Sequence, residues 1–271
     1  MNAAPDSTAV TTSETPLLFA RVLDGAGGGR EIDWAEIQNW QPGPGEQVLW
    51  MHLCRNQPGV YEWLQTRIGI PEPTAELLTS DQTRPRAFRE GDTLVATLRG
   101  INFNPGAEPE DMVSMQVWSD GVRVITLRRH PLQTPRQILA QIDRGAGPGD
   151  AGAIVTALTE AMVARMSQSI VDMNEHIDLL EDMDMDDDPE DMLTKIATIR
   201  RNCLGLKRHM GPQHVALEAI SRDAPPWFEE HDRREIAETI DRLRRYLDDI
   251  DVSKESAVVL MDELRTRALS S

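Results

Sequence analysis

Carboxylates form the chemically most distinctive segment of the sequence. Between Asp172 and Asp191, 11 of 20 residues are Asp or Glu and none is Lys or Arg. Hard divalent cations prefer carboxylate oxygens, so this run could concentrate them, with Asp182, Asp186 and Asp187 as candidate ligands. The run lacks the ligand order and the glycine of an EF-hand, so a solvated tip between two helices is the alternative interpretation.

A second acidic group lies in the last predicted helix. Asp248, Asp249 and Asp251 stand beside apolar residues of that helix, and in a symmetric bundle they would recur once in each subunit. Neighbouring subunits could then share a divalent ion between these carboxylates. The alternative is ordinary solvent exposure, with helix-surface ion pairs to Arg244 and Arg245.

His214 and Glu218 are a third candidate, because residues four apart lie on the same face of a helix. Such a pair could bind zinc, but a zinc site needs about three or four ligands, so a polar surface pair is the alternative. The sequence contains no nucleophile motif, phosphate-binding loop or dinucleotide fingerprint. We therefore predict no enzyme, no catalytic residue and no required cofactor, with Zn²⁺, Mg²⁺ or another divalent cation as possible substrate or regulator.

Charge and cysteine content narrow the choice of partner and compartment. The net charge of −17 divides into −6 for residues 1–150 (13 basic, 19 acidic) and −11 for residues 151–271 (15 basic, 26 acidic). Nucleic acid is an unsuitable partner, since phosphate binding needs a basic face. Cys54 and Cys203 are single and distant, which is typical of a reducing compartment. Without a signal peptide or a long apolar run, these 271 residues are expected neither to cross a membrane nor to be exported.

Elements of two kinds must position these residues. In the first half we predict strands at Leu17–Leu23 and Val48–Cys54, then β-rich runs at Thr93–Phe103, Asp111–Trp118 and Val122–Arg129. Short helices are predicted near 33–40, 58–68 and 72–79, and an Asp-Gly pair marks a hairpin between the last two β-rich runs. Alternating strands and helices predict a layered α/β domain, and with the helical second half the fold class of the whole chain is α+β.

The second half is helical throughout. Apolar residues spaced four and three apart predict an antiparallel hairpin whose tip is the acidic run, and Pro212 is expected to kink or end the second arm. The predicted domains are a disordered tail (1–15), the layered α/β domain (16–148), the hairpin (149–224) and a long terminal helix (225–271), called the stalk helix below.

The stalk helix carries an apolar seam with a period of 3.5 residues, which is typical of a helix that packs along its whole length. A helix of that length would extend roughly 65 Å, so we expect it to need partners, most simply copies of itself. No helix stop signal follows, and we expect the natural protein to continue. The seam consists of Ile236, Ile240, Leu243, Leu247, Ile250, Lys254, Ala257, Met261, Leu264 and Ala268.

Particular stretches of the sequence resemble a known family. Residues 97–114 (TLRGINFNPGAEPEDMVS), followed by Val117-Trp118 and by ITLRR at 125–129, resemble the cytoplasmic domain of the CorA divalent-cation transporters, in their zinc-transporting ZntB branch. The resemblance extends from about Leu17 to the C-terminus. Further matching stretches are Trp50–Leu53, Thr83–Arg86, Gly211–Gln213 and Asp251-Val252.

The resemblance implies an α/β/α domain, two long antiparallel helices and a stalk helix that leads to the inner membrane of a bacterium. It further implies a homo-oligomer, a pentameric funnel, whose stalks surround the entrance to a pore. The family's transmembrane helices and their Gly-Met-Asn-like signature do not occur in these 271 residues, so no pore residue can be assigned. The expected function is the ion vestibule and regulatory region of a divalent-cation transporter, for zinc, on the cytoplasmic face of the membrane. The alternative is a soluble homo-oligomeric coiled-coil scaffold without a transport role.

Overall fold

The computed structural model describes residues 15–81, 84–102, 106–107, 111–182 and 188–270. The strands are β1 (Leu17–Leu23), β2 (Gly29–Glu31), β3 (Val48–Cys54), β4 (Arg86–Glu90), β5 (Thr93–Gly100), β6 (Val113–Ser119) and β7 (Arg123–Arg128). The helices are α1 (Trp34–Ile37), α2 (Val60–Trp63, continued by a π-helical turn at Leu64–Ile68), α3 (Glu72–Thr79), α4 (Gln133–Asp143), α5 (Ala151–Glu181), α6 (Pro189–Arg222) and α7 (Glu230–Ser270).

The strands of the described residues form one mixed sheet of seven, in the order β2-β1-β3-β7-β6-β5-β4. The central strands β3 and β7 run parallel, with Trp50 opposite Val124 and Leu53 opposite Leu127. The other neighbouring pairs are antiparallel. β3 and the middle of β7 are almost continuously apolar and buried, which is the pattern expected of strands covered on both faces.

Helices cover both faces of the sheet. On one face, Met51 and Leu127 pack with Leu64 and Leu78 beneath α1 to α3. On the other face, residues such as Trp50 and Met115 pack with α4, α5, α6 and the start of α7. The predicted α/β/α layers followed by long helices are therefore confirmed.

The predicted and observed elements agree best where the sequence has a clear apolar pattern or turn signal. β1 and β3 occupy the residues predicted for them, and the Asp-Gly hairpin joins β6 to β7 as expected. There the Asp120 carboxylate accepts the amide protons of Val122 and Arg123, and Gly121 adopts a φ of +93°. The sequence patterns did not predict β2, β4 or α4. β2 and β4 are short outer strands with mostly polar residues, which lack a clear alternation.

The helical half is a three-helix arrangement. α7 packs along both α5 and α6, whereas α5 and α6 contact each other over only a short stretch. One such contact joins Cys203 Sγ to Met173 Sδ at 3.7 Å. The apolar rows predicted for the two hairpin arms are buried, as is most of the seam of α7.

Of the two outcomes expected at Pro212, a kink or a helix end, the helix end is not observed, because α6 continues without a break to Arg222. The residue after the proline explains the continuation. Gln213 is fully buried, its Oε1 accepts the Arg99 amide proton and its Nε2 donates to the Arg99 carbonyl, both at 2.8 Å. These bonds anchor α6 to the end of β5 and offset the backbone hydrogen bond that proline cannot make.

The observed helices begin and end close to the predicted domain limits. Asp150 caps α5 by accepting the Ala153 amide proton at 2.8 Å, and α6 ends two residues before the predicted limit at 224. The stalk helix begins at Glu230. The predicted tail lies outside the described residues, apart from Thr15.

Candidate cation-interacting surfaces

The terminal helix α7 has two faces of different character. Its seam faces α5 and α6 of the same chain, and Ile236, Leu243, Ile250 and Ala257 are completely buried there. Lys254 at the seam is half-buried, and Ala268 is exposed. Most of the seam is thus already covered within one chain, so it does not need a second copy as we had expected.

The opposite face of α7 is exposed and follows the same alternation of four and three residues. We call it the acidic stripe. It carries four carboxylates and one arginine, so its net charge is negative, and its two valines are 61% and 59% exposed. Its members are Asp241, Arg245, Asp248, Val252, Glu255, Val259, Asp262 and Thr266.

Of the predicted ligands on α7, Asp248 belongs to the acidic stripe. Asp249 is also exposed, and its backbone carbonyl accepts the Ser253 hydroxyl at 3.0 Å. The predicted ion pairs with Arg244 and Arg245 do not involve these carboxylates in the described residues, because Arg244 pairs with Asp241 at 3.4 Å and Glu218 at 3.8 Å. Asp248 therefore keeps a free carboxylate on the surface of α7.

Asp251 lies in a different environment. Lys207 Nζ of α6 donates to Asp251 Oδ1 at 2.6 Å, and Lys254 Nζ lies 3.7 Å from the same oxygen. The hydrogen bond from Lys207 holds the pKa of Asp251 below its usual value. This carboxylate is already compensated by two ammonium groups, so a cation at Asp251 would have to compete with both of them.

His214 and Glu218 do meet on α6, with 3.2 Å between His214 Nδ1 and Glu218 Oε1. Arg244 reaches the same oxygen, which leaves Glu218 shared between two partners. His214 Nε2 is buried and has no hydrogen-bond partner among the described residues.

At the hairpin tip, Asp182 follows α5 and is exposed, whereas Asp186 and Asp187 lie outside the described residues. Below the tip, an open groove of about 630 Å³ runs between α5 and α6. Asp172 and His176 line it on α5, and Lys195 lines it on α6.

Within the described ranges, no three side chains of His, Cys, Asp or Glu are grouped closely enough to hold a metal ion. Each predicted set supplies at most part of a coordination shell within one chain. A complete site from these residues would need equivalent side chains of another copy, as the sequence interpretation of Asp248 and Asp249 had assumed.

The sequence reasoning did not single out Glu255 and Asp262, the other carboxylates on the C-terminal part of the acidic stripe. The sequence does contain the spacing that relates them, since both lie at multiples of seven residues from Asp248 and so share its face of the helix. The predictions concentrated on a local cluster of three acids instead of on one helix face.

The buried His52 of the α/β/α domain has a structural explanation. His52 is 2% exposed, and its Nδ1 lies 2.8 Å from Thr126 Oγ1, which also accepts from Trp50 Nε1. Burial, together with Arg128 and Arg136, lowers the pKa of His52 to about 3. His52 is consequently neutral at physiological pH.

Comparison with known proteins shows which family the chain belongs to. A protein-family model described as "CorA-like Mg2+ transporter protein" matches residues 45–268. This chain belongs to that CorA-like family. The predicted resemblance is therefore confirmed. Among the described residues, none of the helices of this CorA-family chain is both long and apolar enough to cross a bilayer.

Individual relatives of the CorA-family chain are transporters by name. It is 34% identical over 251 residues to the divalent cation transporter CmaX of Pseudomonas aeruginosa, across 92% of this chain and 75% of that protein. It is 33% identical over 247 residues to the zinc transport protein ZntB of Pectobacterium atrosepticum, across 91% and 74%.

Solved structures agree with the fold. Full-length CmaX superposes with a TM-score of 0.88 at 33% identity, covering 96% of this chain and 80% of that one. The ZntB cytoplasmic domain of Vibrio parahaemolyticus gives a TM-score of 0.82, covering 95% of this chain and 100% of that one. At 18% identity, the ZntB comparison supports the fold alone.

Proposed function

We propose that this CorA-family chain forms the cytoplasmic vestibule and regulatory region of a homo-oligomeric divalent-cation transporter, with zinc as its cargo. Membership in the family and the names of the relatives support divalent-cation transport. Zinc is favoured by the likeness to ZntB, and a pentameric assembly in the bacterial inner membrane by the family resemblance.

The exposed acidic stripe of α7 is the observation that carries the vestibule assignment. Its carboxylates Asp248, Glu255 and Asp262 lie along about 20 Å of one helix face, at 1.5 Å per residue. In a ring of copies with this face inward, the carboxylates would form successive acidic rings. Such rings raise the local concentration of cations ahead of a pore.

The coiled-coil scaffold that the sequence left open would use the apolar seam of α7 for association. In the structure α5 and α6 of the same chain cover that seam. The exposed stripe is too acidic for a dry coiled-coil contact, but it suits a water-filled channel.

Transport assays on the full-length protein in proteoliposomes test the proposal. We expect uptake of Zn²⁺ down its gradient, and a lower initial rate at low Zn²⁺ in the triple variant Asp248→Asn, Glu255→Gln, Asp262→Asn. Loss of local cation enrichment predicts a rate about 3- to 10-fold lower, with less effect at high salt.

A charge-matched control is the triple variant Glu31→Gln, Glu62→Gln, Glu76→Gln, whose three exposed side chains lie in the α/β/α domain. We expect its transport rate to equal that of the wild type. Equal rates in both triple variants would refute the vestibule role of the stripe, and no uptake of Zn²⁺, Mg²⁺ or Co²⁺ by the wild type would refute transport itself.

The assembly is tested separately by light scattering on the detergent-solubilised full-length protein. We expect a mass of five subunits that does not depend on concentration. A monomer or a dimer would contradict the pentameric vestibule.

A further inference from the structure

A buried arginine lies at the carboxyl ends of the two central parallel strands. Arg55 directly follows β3, and its amide donates to the carbonyl of Arg128, the last residue of β7, at 3.0 Å. The Arg55 side chain is only 3% exposed, although it carries a full positive charge. In sheets with parallel strands, ligands characteristically bind beyond the carboxyl ends of those strands.

The charge of Arg55 is incompletely balanced. Asp81 Oδ1 lies 3.6 Å from Arg55 Nη2, beyond hydrogen-bond distance, and accepts a bond from Arg129 Nη1 at 2.7 Å. The Asp81 side chain is itself 78% exposed, so two guanidinium groups share one largely hydrated carboxylate. Burial is the main cause that lowers the pKa of Arg55; Asp81 partly offsets it, and the charge of Arg129 lowers the pKa further.

Arg55 also has unused hydrogen-bond donors. Its Nε and Nη1 are buried and have no partner among the described residues. A buried guanidinium that leaves two of its nitrogen atoms unpaired is unfavourable, because their hydration is lost without replacement. A planar oxyanion with two acceptor oxygens is the group that such a fork of donors binds most strongly.

Further unpaired polar atoms lie on the same face of the sheet. Thr97 Oγ1 and both polar side-chain atoms of Gln116 are buried without partners among the described residues. Thr97 is opposite Gln116 on neighbouring strands, and Gln116 is opposite Leu127 of β7. This face of the sheet therefore carries buried polar side chains, which favour a polar ligand over an apolar one.

We propose that Arg55 and Arg129 form a binding site for a small oxyanion, a phosphate or carboxylate group, and that Asp81 is a built-in competitor for the same two guanidinium groups. The oxyanion would take the donors that Asp81 leaves unpaired, and Asp81, already exposed, would turn to solvent. The site lies apart from the acidic stripe of α7 and does not depend on its proposed function.

Isothermal calorimetry on the purified full-length protein near neutral pH tests the site. The probes are inorganic phosphate, glycerol 3-phosphate and acetate, which separate free phosphate, a phosphate carried on a larger molecule and a carboxylate. We expect saturable binding of at least one probe. The probe that binds most tightly identifies the source of the oxyanion.

Two variants are expected to change the affinity in opposite directions. Arg55→Gln should weaken binding about tenfold or more, because one partner of a buried charge-assisted contact is removed. Asp81→Asn should strengthen binding several-fold, since the competing negative charge disappears. The matched control is Arg67→Gln, which removes an exposed arginine of the same domain and should leave the affinity unchanged.

Arg129→Gln serves as a second test in case Arg55→Gln does not fold. Arg129 is exposed, so its replacement preserves the fold, and it should also weaken binding. The proposal is overturned if the wild type shows no saturable heat with any probe. It is equally overturned if Asp81→Asn, Arg129→Gln and Arg67→Gln all bind as the wild type does.

Discussion

At the scale of single residues, the buried hydroxyl group of Thr126 connects two ring side chains of β3. Thr126 Oγ1 accepts from Trp50 Nε1 at 3.0 Å and lies 2.8 Å from His52 Nδ1. All three side chains are at most 2% exposed. Because these side chains are buried, water cannot replace Thr126 as the partner of either ring nitrogen. The hydroxyl therefore contributes more to stability than its size suggests.

We predict that Thr126→Val lowers the free energy of unfolding by about 2–4 kcal/mol, because Trp50 Nε1 and His52 Nδ1 lose their common partner. Urea denaturation measures the change. Thr126→Ser is the control, since it keeps the hydroxyl, and it should cost only about 1 kcal/mol for the lost methyl group. Equal losses in the two variants would show that packing, and not the hydrogen bonds, accounts for the effect.

His52 also predicts a pH dependence of stability. Its pKa is about 3 in the folded protein, lowered chiefly by burial, whereas an unfolded histidine has a pKa near ~6.5. Between these values the unfolded chain binds more protons than the folded one. The stabilisation is therefore fully present above about pH 6.5 and is lost as the pH falls toward 3.

We predict that His52→Gln reduces the slope of unfolding free energy against pH by up to about 1.4 kcal/mol per pH unit between pH ~4 and ~6. Urea titrations across this range give the slope. His130→Gln, at an exposed histidine, should leave the slope unchanged. The interpretation fails if the two variants have the same slope.

At the scale of elements, the terminal helix is stabilised mainly by its own chain. The seam of α7 packs against α5 and α6, and one ion pair, Lys207 with Asp251, links α6 to α7 at the partly exposed edge of this contact. An ion pair at such a position contributes only about 0–1 kcal/mol. Apolar burial along the seam therefore accounts for most of the docking of α7.

We predict that Ile250→Ala, at a completely buried seam position, lowers the free energy of unfolding by about 2–5 kcal/mol. Val252→Ala, two residues away on the exposed stripe, should change it by less than about 0.5 kcal/mol. Chemical denaturation of both variants gives the comparison. Similar small losses at the two positions would mean that the seam is not covered within the chain.

At the scale of the whole molecule, the net charge of −17 opposes compact folding and close assembly. Much of the excess negative charge belongs to the helical half, where the acidic stripe and Asp182, at the start of the hairpin tip, are exposed. Cations at these surfaces would reduce the repulsion. Divalent cations should do so more effectively than monovalent ones at the same ionic strength.

We predict that Mg²⁺ or Zn²⁺ raises the thermal midpoint of the protein more than NaCl of equal ionic strength. The triple variant Asp248→Asn, Glu255→Gln, Asp262→Asn should lose about half or more of this difference, because its stripe no longer attracts divalent ions. Scanning calorimetry at matched ionic strength provides the measurement. An undiminished difference in the triple variant would assign the effect to other carboxylates, such as those of the hairpin tip.

The sequence by itself determined those features that depend on neighbours along the chain. Apolar runs placed β1 and β3, the alternation of four and three residues placed the long helices, and the Asp-Gly pair placed the hairpin. The family could also be recognised from the order of residues 97–114. Short polar edge strands such as β2 and β4 could not be predicted, since their pairing depends on distant strands and not on their own pattern.

Only the tertiary structure decided which neighbour each surface meets. Periodicity defines which residues of α7 share a face, but it does not say whether a second copy or the same chain covers that face. Packing against α5 and α6 made the seam internal and left Asp248 with Glu255 and Asp262 on the outside. The same packing places Lys207 of α6 in hydrogen-bond contact with Asp251 of α7. Likewise, α3 and the turn after it place Asp81 next to the buried Arg55. These pairings join residues far apart in sequence, so only three-dimensional packing could determine them.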